Sequence, residues 1–167
     1  LSMHAEYLTN YHDKQSSDYL GGFLTEYHNF SLTNWVDNGV NYSYSMVYMR
    51  YLTERFGNDI LKHIIHSQYG GYRAVEESTK TNFNTLFNDF SLAVLLSGKN
   101  IQKEVKYNFN TIDISSRGGL KPVKVMNAGE NFSSNIRMYS INLLEINGNL
   151  DTLSLNGGNI YGYAVEK

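Results

Sequence analysis

The spacing of the apolar residues changes near Gly98, and that change sets what the chain can fold into. Before it, apolar side chains recur at helical intervals. After it they alternate, with Gly and Asn between short runs. Residues 1–98 therefore read as helical and 104–167 as strands. The expected fold class is α+β: an N-terminal all-helical subdomain, then a small antiparallel β-sheet or sandwich of about five or six strands. No internal repeat is visible.

The strongest helix spans Gly39 to Phe56. Tyr44, Val47, Tyr48 and Tyr51 fall at i, i+3, i+4 and i+7, and Met49, Leu52 and Phe56 extend that face. Gly57 is a natural stop. Asn58 is placed to cap a second helix with Asp59 in its first turn and Ile60, Leu61, Ile64 and Ile65 on its buried side. Gly70-Gly71 breaks the chain, a short helix covers 72–79, and Asn82 caps a longer one to Leu96. Its stripe is Phe83, Leu86, Phe87, Phe90, Ala93 and Val94, and Ser97-Gly98 ends it. Earlier, Ser17-Asp18 is placed to cap a helix through Leu20, Phe23, Leu24 and Tyr27, weakened by Gly21-Gly22 at roughly 1 kcal/mol per glycine. Ser31 to Asn38 reads as a loop carrying Trp35. In the C-terminal part, Asn147-Gly148-Asn149 and Asn156-Gly157-Gly158-Asn159 read as hairpin turns. Leu153 and Leu155 alternate between them, and Ile160–Val165 reads as the last strand. Pro122 suits a strand start.

Composition excludes several chemistries. With 14 Lys+Arg against 16 Asp+Glu, the net charge is −2, so the chain lacks the basic balance of a nucleic-acid binder. No apolar run approaches the roughly 18 residues that span a bilayer. Cysteine is absent, which removes disulfides, thiolate metal sites and cysteine nucleophiles. None of His4, His12, His28, His63 and His66 is followed by Glu, so the chain holds no His-Glu-x-x-His. His63 and His66 lie at i, i+3 opposite the isoleucine face and read as solvated; a small metal site using them would need a distant carboxylate. Ser115-Ser116-Arg117-Gly118-Gly119 is a polar loop, with anion binding as the lesser reading. Asn29, Asn41 and Asn131 begin glycosylation sequons, which matter only in a eukaryotic host. The chain opens in mid-helix on Leu1 with no signal segment, from which an N-terminus further upstream is expected.

Two segments resemble a known family. Leu1-Ser2-Met3-His4-Ala5-Glu6-Tyr7 is similar to the stretch that directly follows Asn-Glu-Gly in hyicolysin-like zinc metallopeptidases, a bacterial family of the gluzincin type. Ser31-Leu32-Thr33-Asn34-Trp35, followed by Tyr42-Ser43-Tyr44-Ser45-Met46 and on through Arg50-Tyr51-Leu52 to Arg55-Phe56-Gly57, resembles that family's Asn-Trp segment, its Tyr-Gly-x-Ser-Tyr helix start and its Arg-Tyr-Leu…Arg-Phe-Gly helix end. Asp59-Ile60-Leu61-Lys62 and Phe87-Asn88-Asp89-Phe90-Ser91-Leu92-Ala93 also fit, and Ile160-Tyr161-Gly162 looks like the trailing β region. Ser43 and Met46 depart from the pattern, standing where the family has Gly and Tyr.

The resemblance implies a secreted, extracellular or cell-surface bacterial endopeptidase acting on proteins or peptides. Its zinc would be held upstream by the two His of His-Glu-x-x-His and by a Glu two positions before Leu1, with the motif's own Glu as general base. Residues 1–98 would then be the helical subdomain of the catalytic unit, forming one wall of the substrate cleft, and 104–167 a β-strand C-terminal domain. The missing N-terminal half of the catalytic domain would be a partner, and the chain alone would hold no zinc and cleave nothing. By analogy with the aminopeptidase branch, a phenol ten residues before a helix leucine steadies the oxyanion; counting back from Leu52 gives Tyr42, at a helix N-terminus where developing negative charge is favoured. Tyr42, Ser45, Met49 and Leu52 share a face that would hold the ring. Tyr44 is the alternative phenol, and a purely structural Tyr42 remains open. Glu6, seven residues beyond the inferred ligand, is the candidate to orient a zinc ligand from behind; a surface salt bridge is its other reading. The rival function is a non-enzymatic extracellular module binding protein or glycan through Tyr, Asn and Trp35.

Overall fold

A computed structural model describes residues 2–9, 15–36, 39–99, 105–149, 152–157, 160 and 162–164. Helices occupy the first part of the chain: α1 (Ser2–Leu8), α2 (Gln15–Glu26), α3 (Gly39–Phe56), α4 (Asp59–His66), α5 (Tyr72–Thr79) and α6 (Phe83–Leu96). The ends of α3 and α6 fall where the local signals put them. Gly57 closes α3 at φ 81°, a left-handed value that costs glycine little. Asn82 caps α6 by accepting the Asn84 N–H at 2.9 Å.

Two helices correct the reading. α2 is already helical at Gln15, so Ser17 and Asp18 lie inside it and do not cap it. Gly22 also has a packing use: a Cβ there would come within 2.9 Å of Ser43 Oγ, so the bare backbone lets α2 close on α3. In α4, Asn58 has helical angles and makes no side-chain cap, and Asp59 instead accepts from Lys62 Nζ at 3.0 Å. Ile60 and Ile64 are buried and Leu61 partly so, but Ile65 is 63% exposed. One residue past Ile64 turns the side chain about 100° away from the packed stripe.

The core is aromatic. The Phe90 ring has the rings of Phe23, Tyr44, Tyr48, Tyr51, Phe87 and Phe109 within 6.5 Å, all tilted or edge-on, the geometry that aromatic quadrupoles favour. α2 and α6 thus meet over the middle of α3. Beyond α6 the chain folds back onto the helices. Ser97 Oγ donates to Ile112 O and accepts the Ile114 N–H, both at 3.2 Å. That pair lays Phe109, Ile112 and Ile114 into the same core. Glu54 of α3 accepts the Thr111 N–H at 3.1 Å, and the Tyr27 hydroxyl donates to Lys121 O at 2.6 Å.

The strands differ from expectation. Helix and strand content is mixed as predicted, but β1 (Lys124–Asn127) and β2 (Leu144–Asn147) pair parallel, Lys124 opposite Leu144 and Asn127 opposite Asn147. The connection over 128–143 is long enough for the crossover of a dozen or more residues that a parallel pair requires. Among the described residues these two strands form the whole sheet, so the five or six antiparallel strands are not formed. Asn147-Gly148-Asn149 ends β2 without opening a hairpin, and 152–157 runs exposed with no ladder. Residues 160 and 162–164 likewise form no strand; 161 and 165, and the 158–159 part of the second turn, lie outside the described residues.

Candidate functional site

Tyr42 stands in the first turn of α3, 39% exposed. Its ring meets that of Trp35 edge to face, with ring centroids 4.7 Å apart and planes at 84°. Several hydrogen bonds hold the described part of the loop that presents Trp35. Ser31 Oγ accepts the N–H groups of Thr33 and Asn34, both at 3.2 Å, as a serine hydroxyl does in a turn. The Leu32 N–H donates to Tyr139 O at 3.0 Å, anchoring the loop to the far part of the chain.

Asn41 supplies the remaining restraint, and sequence reasoning missed it. It is 2% exposed; its Oδ1 accepts the Val36 N–H at 3.0 Å and its Nδ2 donates to Asn34 O at 3.3 Å. One buried amide thus fixes both flanks of Trp35. With both ends bonded, Asn41 offers no amide for glycosylation in the folded chain. Its only sequence signal was an amide in the first turn of a helix, where Asn is an indifferent helix former.

The other phenols of α3 are structural. Tyr44, Tyr48 and Tyr51 are buried, and desolvation raises each hydroxyl's pKa well beyond the ordinary tyrosine range, so all three stay protonated. Tyr44, the alternative phenol, packs edge-on against Phe23 at 5.0 Å and presents no surface to a ligand. Tyr51 donates to Lys106 O at 3.1 Å and accepts from Arg55 Nη1 at 2.8 Å; Arg55 in turn pairs with Asp89 at 2.8 Å.

Glu6 lies half-buried on α1. His4, to which sequence reasoning gave no role, is what fastens that helix: 1% exposed, with Nε2 3.0 Å from Thr53 Oγ1. The Thr53 hydroxyl spends its proton on Arg50 O at 3.0 Å, so His4 must be the donor and carries its proton on Nε2. Burial, and after it the nearby Arg50 guanidinium, lowers the His4 pKa to about 4, so the ring is neutral at pH 7. The anchor point at Thr53 is eleven residues along α3 from Tyr42, about 16 Å at 1.5 Å per residue.

His63 and His66 are exposed at the end of α4, and no group of three or more His, Cys, Asp or Glu side chains gathers among the described residues. Just before the Ser115–Gly119 loop, Asp113 accepts from Ser115 Oγ at 2.7 Å and from the Ser116 N–H at 3.0 Å. No described helix is long and apolar enough to cross a membrane. Comparison of the chain with protein-family models, curated proteins and solved structures finds no match.

Proposed function

We propose that this chain is the distal part of a secreted, gluzincin-type zinc endopeptidase, with its helical layer forming one wall of the substrate cleft and Tyr42 donating to the oxyanion. The observation that carries the reading is the contact between Trp35 and Tyr42. Trp35 and Tyr42, two parts of the same resembling segment, meet ring on ring and leave an exposed phenol on a braced scaffold. In the intact parent, zinc held upstream would polarise the peptide carbonyl and activate water. This chain's part is to hold the Tyr42 hydroxyl where negative charge develops, a role that a fixed ring performs without reorganisation.

The experiment is to read the parent sequence upstream of Leu1 and then to assay Tyr42→Phe in the parent. His-Glu-x-x-His followed by Asn-Glu-Gly abutting Leu1 is expected. Loss of one oxyanion donor should lower kcat by roughly 10²-fold with little change in KM. An upstream region without the zinc motif overturns the reading, as does zinc-dependent cleavage of casein by the isolated 167 residues. An unchanged kcat removes Tyr42 from the chemistry. A non-enzymatic binding module would use the same exposed rings, and absence of the zinc motif together with ligand binding at Trp35 selects it.

A further inference from the structure

α1 is a seven-residue helix, too short to hold its own shape in water. It packs on α3, and among its described side chains His4 alone is buried; Ala5 and Leu8 are exposed and Glu6 is half-buried. The His4 ring is tied to α3 through Thr53 Oγ1. The charged residues of α3 are Arg50, Glu54 and Arg55. Glu54 accepts the Thr111 N–H and Arg55 pairs with Asp89, so both are turned to other segments. Arg50 is buried and acts on the His4 ring, as does, less strongly, the amino terminus of the chain. Both carry positive charge. A proton added to the ring would set an imidazolium, out of water, against like charge.

We infer that His4 is an acid-operated latch: the neutral ring pins α1 to α3, and protonation releases α1 while the aromatic core stays packed. The core can stay packed because none of the described α1 side chains belongs to it. Thr53 is the acceptor the latch needs, since its hydroxyl proton is already given to Arg50 O. Released, the ring titrates near 6.5; held, it titrates near 4. The unfavourable form of the held ring is the charged one, so closure is at full strength above about pH 6.5 and weakens as pH falls toward about 4, where the ratio of held to released α1 is lower by roughly 10²-fold. The latch rests on these contacts and not on the peptidase reading.

The chain has no cysteine, so one introduced thiol carries one spin label. The test labels Ala5→Cys on α1 and, as the reference, Thr85→Cys on α6; both positions are exposed. Electron paramagnetic resonance reads label mobility on the full 167-residue chain from about pH 8 down to about pH 3. The Ala5 label should be held above about pH 6.5 and freed as pH falls toward about 4, while the Thr85 label stays held. His4→Gln keeps an N–H donor and removes the titrating ring. It should leave the Ala5 label held over the same window, although Glu6 still titrates there. Thr53→Val removes the acceptor and should free the Ala5 label at neutral pH with the Thr85 label still held. An Ala5 label that stays held throughout overturns the latch. So do two labels that loosen together, since that is unfolding of the whole chain, and a His4→Gln profile identical to that of the unsubstituted ring. If His4→Gln does not fold, which a loose Thr85 label at neutral pH would show, Thr53→Val decides, and an Ala5 label still held in it overturns the latch.

Discussion

Replacing Asn41 by Ala tests the claim that a buried amide braces the Trp35 loop. The substitution removes the acceptor of the Val36 N–H and the donor to Asn34 O, at 3.0 and 3.3 Å. A buried polar group left without a partner costs about 1–3 kcal/mol. Val36 and Asn34 are themselves exposed, so water reaches both groups once the amide is gone. That places the loss in the lower part of the range, about 1–2 kcal/mol, which for a chain of this size lowers Tm by about 2–8 °C. The assay is thermal unfolding followed by far-UV circular dichroism, with Trp35 emission read at low temperature. The helical signal should survive, because α3 keeps its own ladder, while the emission should move to the red as the indole loses its fixed seat against Tyr42. A Tm within about 1 °C of the parent and an unmoved emission maximum would refute the reasoning. The loop would then be held by Ser31 and Tyr139 alone.

Two other perturbations read the packing of α3. His4 titrates near 4 in the folded chain against 6.5 when exposed, so the unfolded state binds more protons between those values. Stability should be level above about pH 6.5 and fall as pH drops toward about 4; His4→Gln should show a shallower fall in urea midpoint over that window, and an identical fall would mean His4 is not buried neutral. Asp89→Ala breaks a pair whose side chains are mostly buried and should cost about 1–2 kcal/mol. Asp59→Ala breaks the exposed Asp59–Lys62 pair and should leave Tm unmoved; equal effects from the two would deny that burial makes the difference.

Much of the helical part was legible in the sequence, because a helix is a local object. The spacing of Tyr44, Val47, Tyr48 and Tyr51, the stripe from Phe83 to Val94, the stop at Gly57 and the cap at Asn82 act within a turn or two of themselves, and α3 and α6 have those bounds. All six residues expected in the α6 stripe are buried, and Leu96 joins them, whereas Ile65 was not legible: a short helix packs along one line, and which line depends on its neighbours. Gly22 looked like a defect because its use is across space, against Ser43.

The candidate site divides the same way. Tyr42 could be placed at a helix start from sequence, and Trp35 in a loop, but nothing local says that one ring leans on the other. Nor does anything local say that Asn41 turns inward, or that His4 reaches Thr53 across 49 residues. The sheet makes the sharpest contrast. Alternation near Val125 and Ile146 marks a strand without naming its partner or direction, and an Asn-Gly pair serves a strand end as readily as a hairpin. The parallel pair follows a stretch, 109–121, that is itself held on the helices by contacts distant in sequence. Which segments are helical, and which of their faces are apolar, follows from neighbours along the chain. What each face covers is settled in space, because closing long loops brings together residues whose spacing carries no common period.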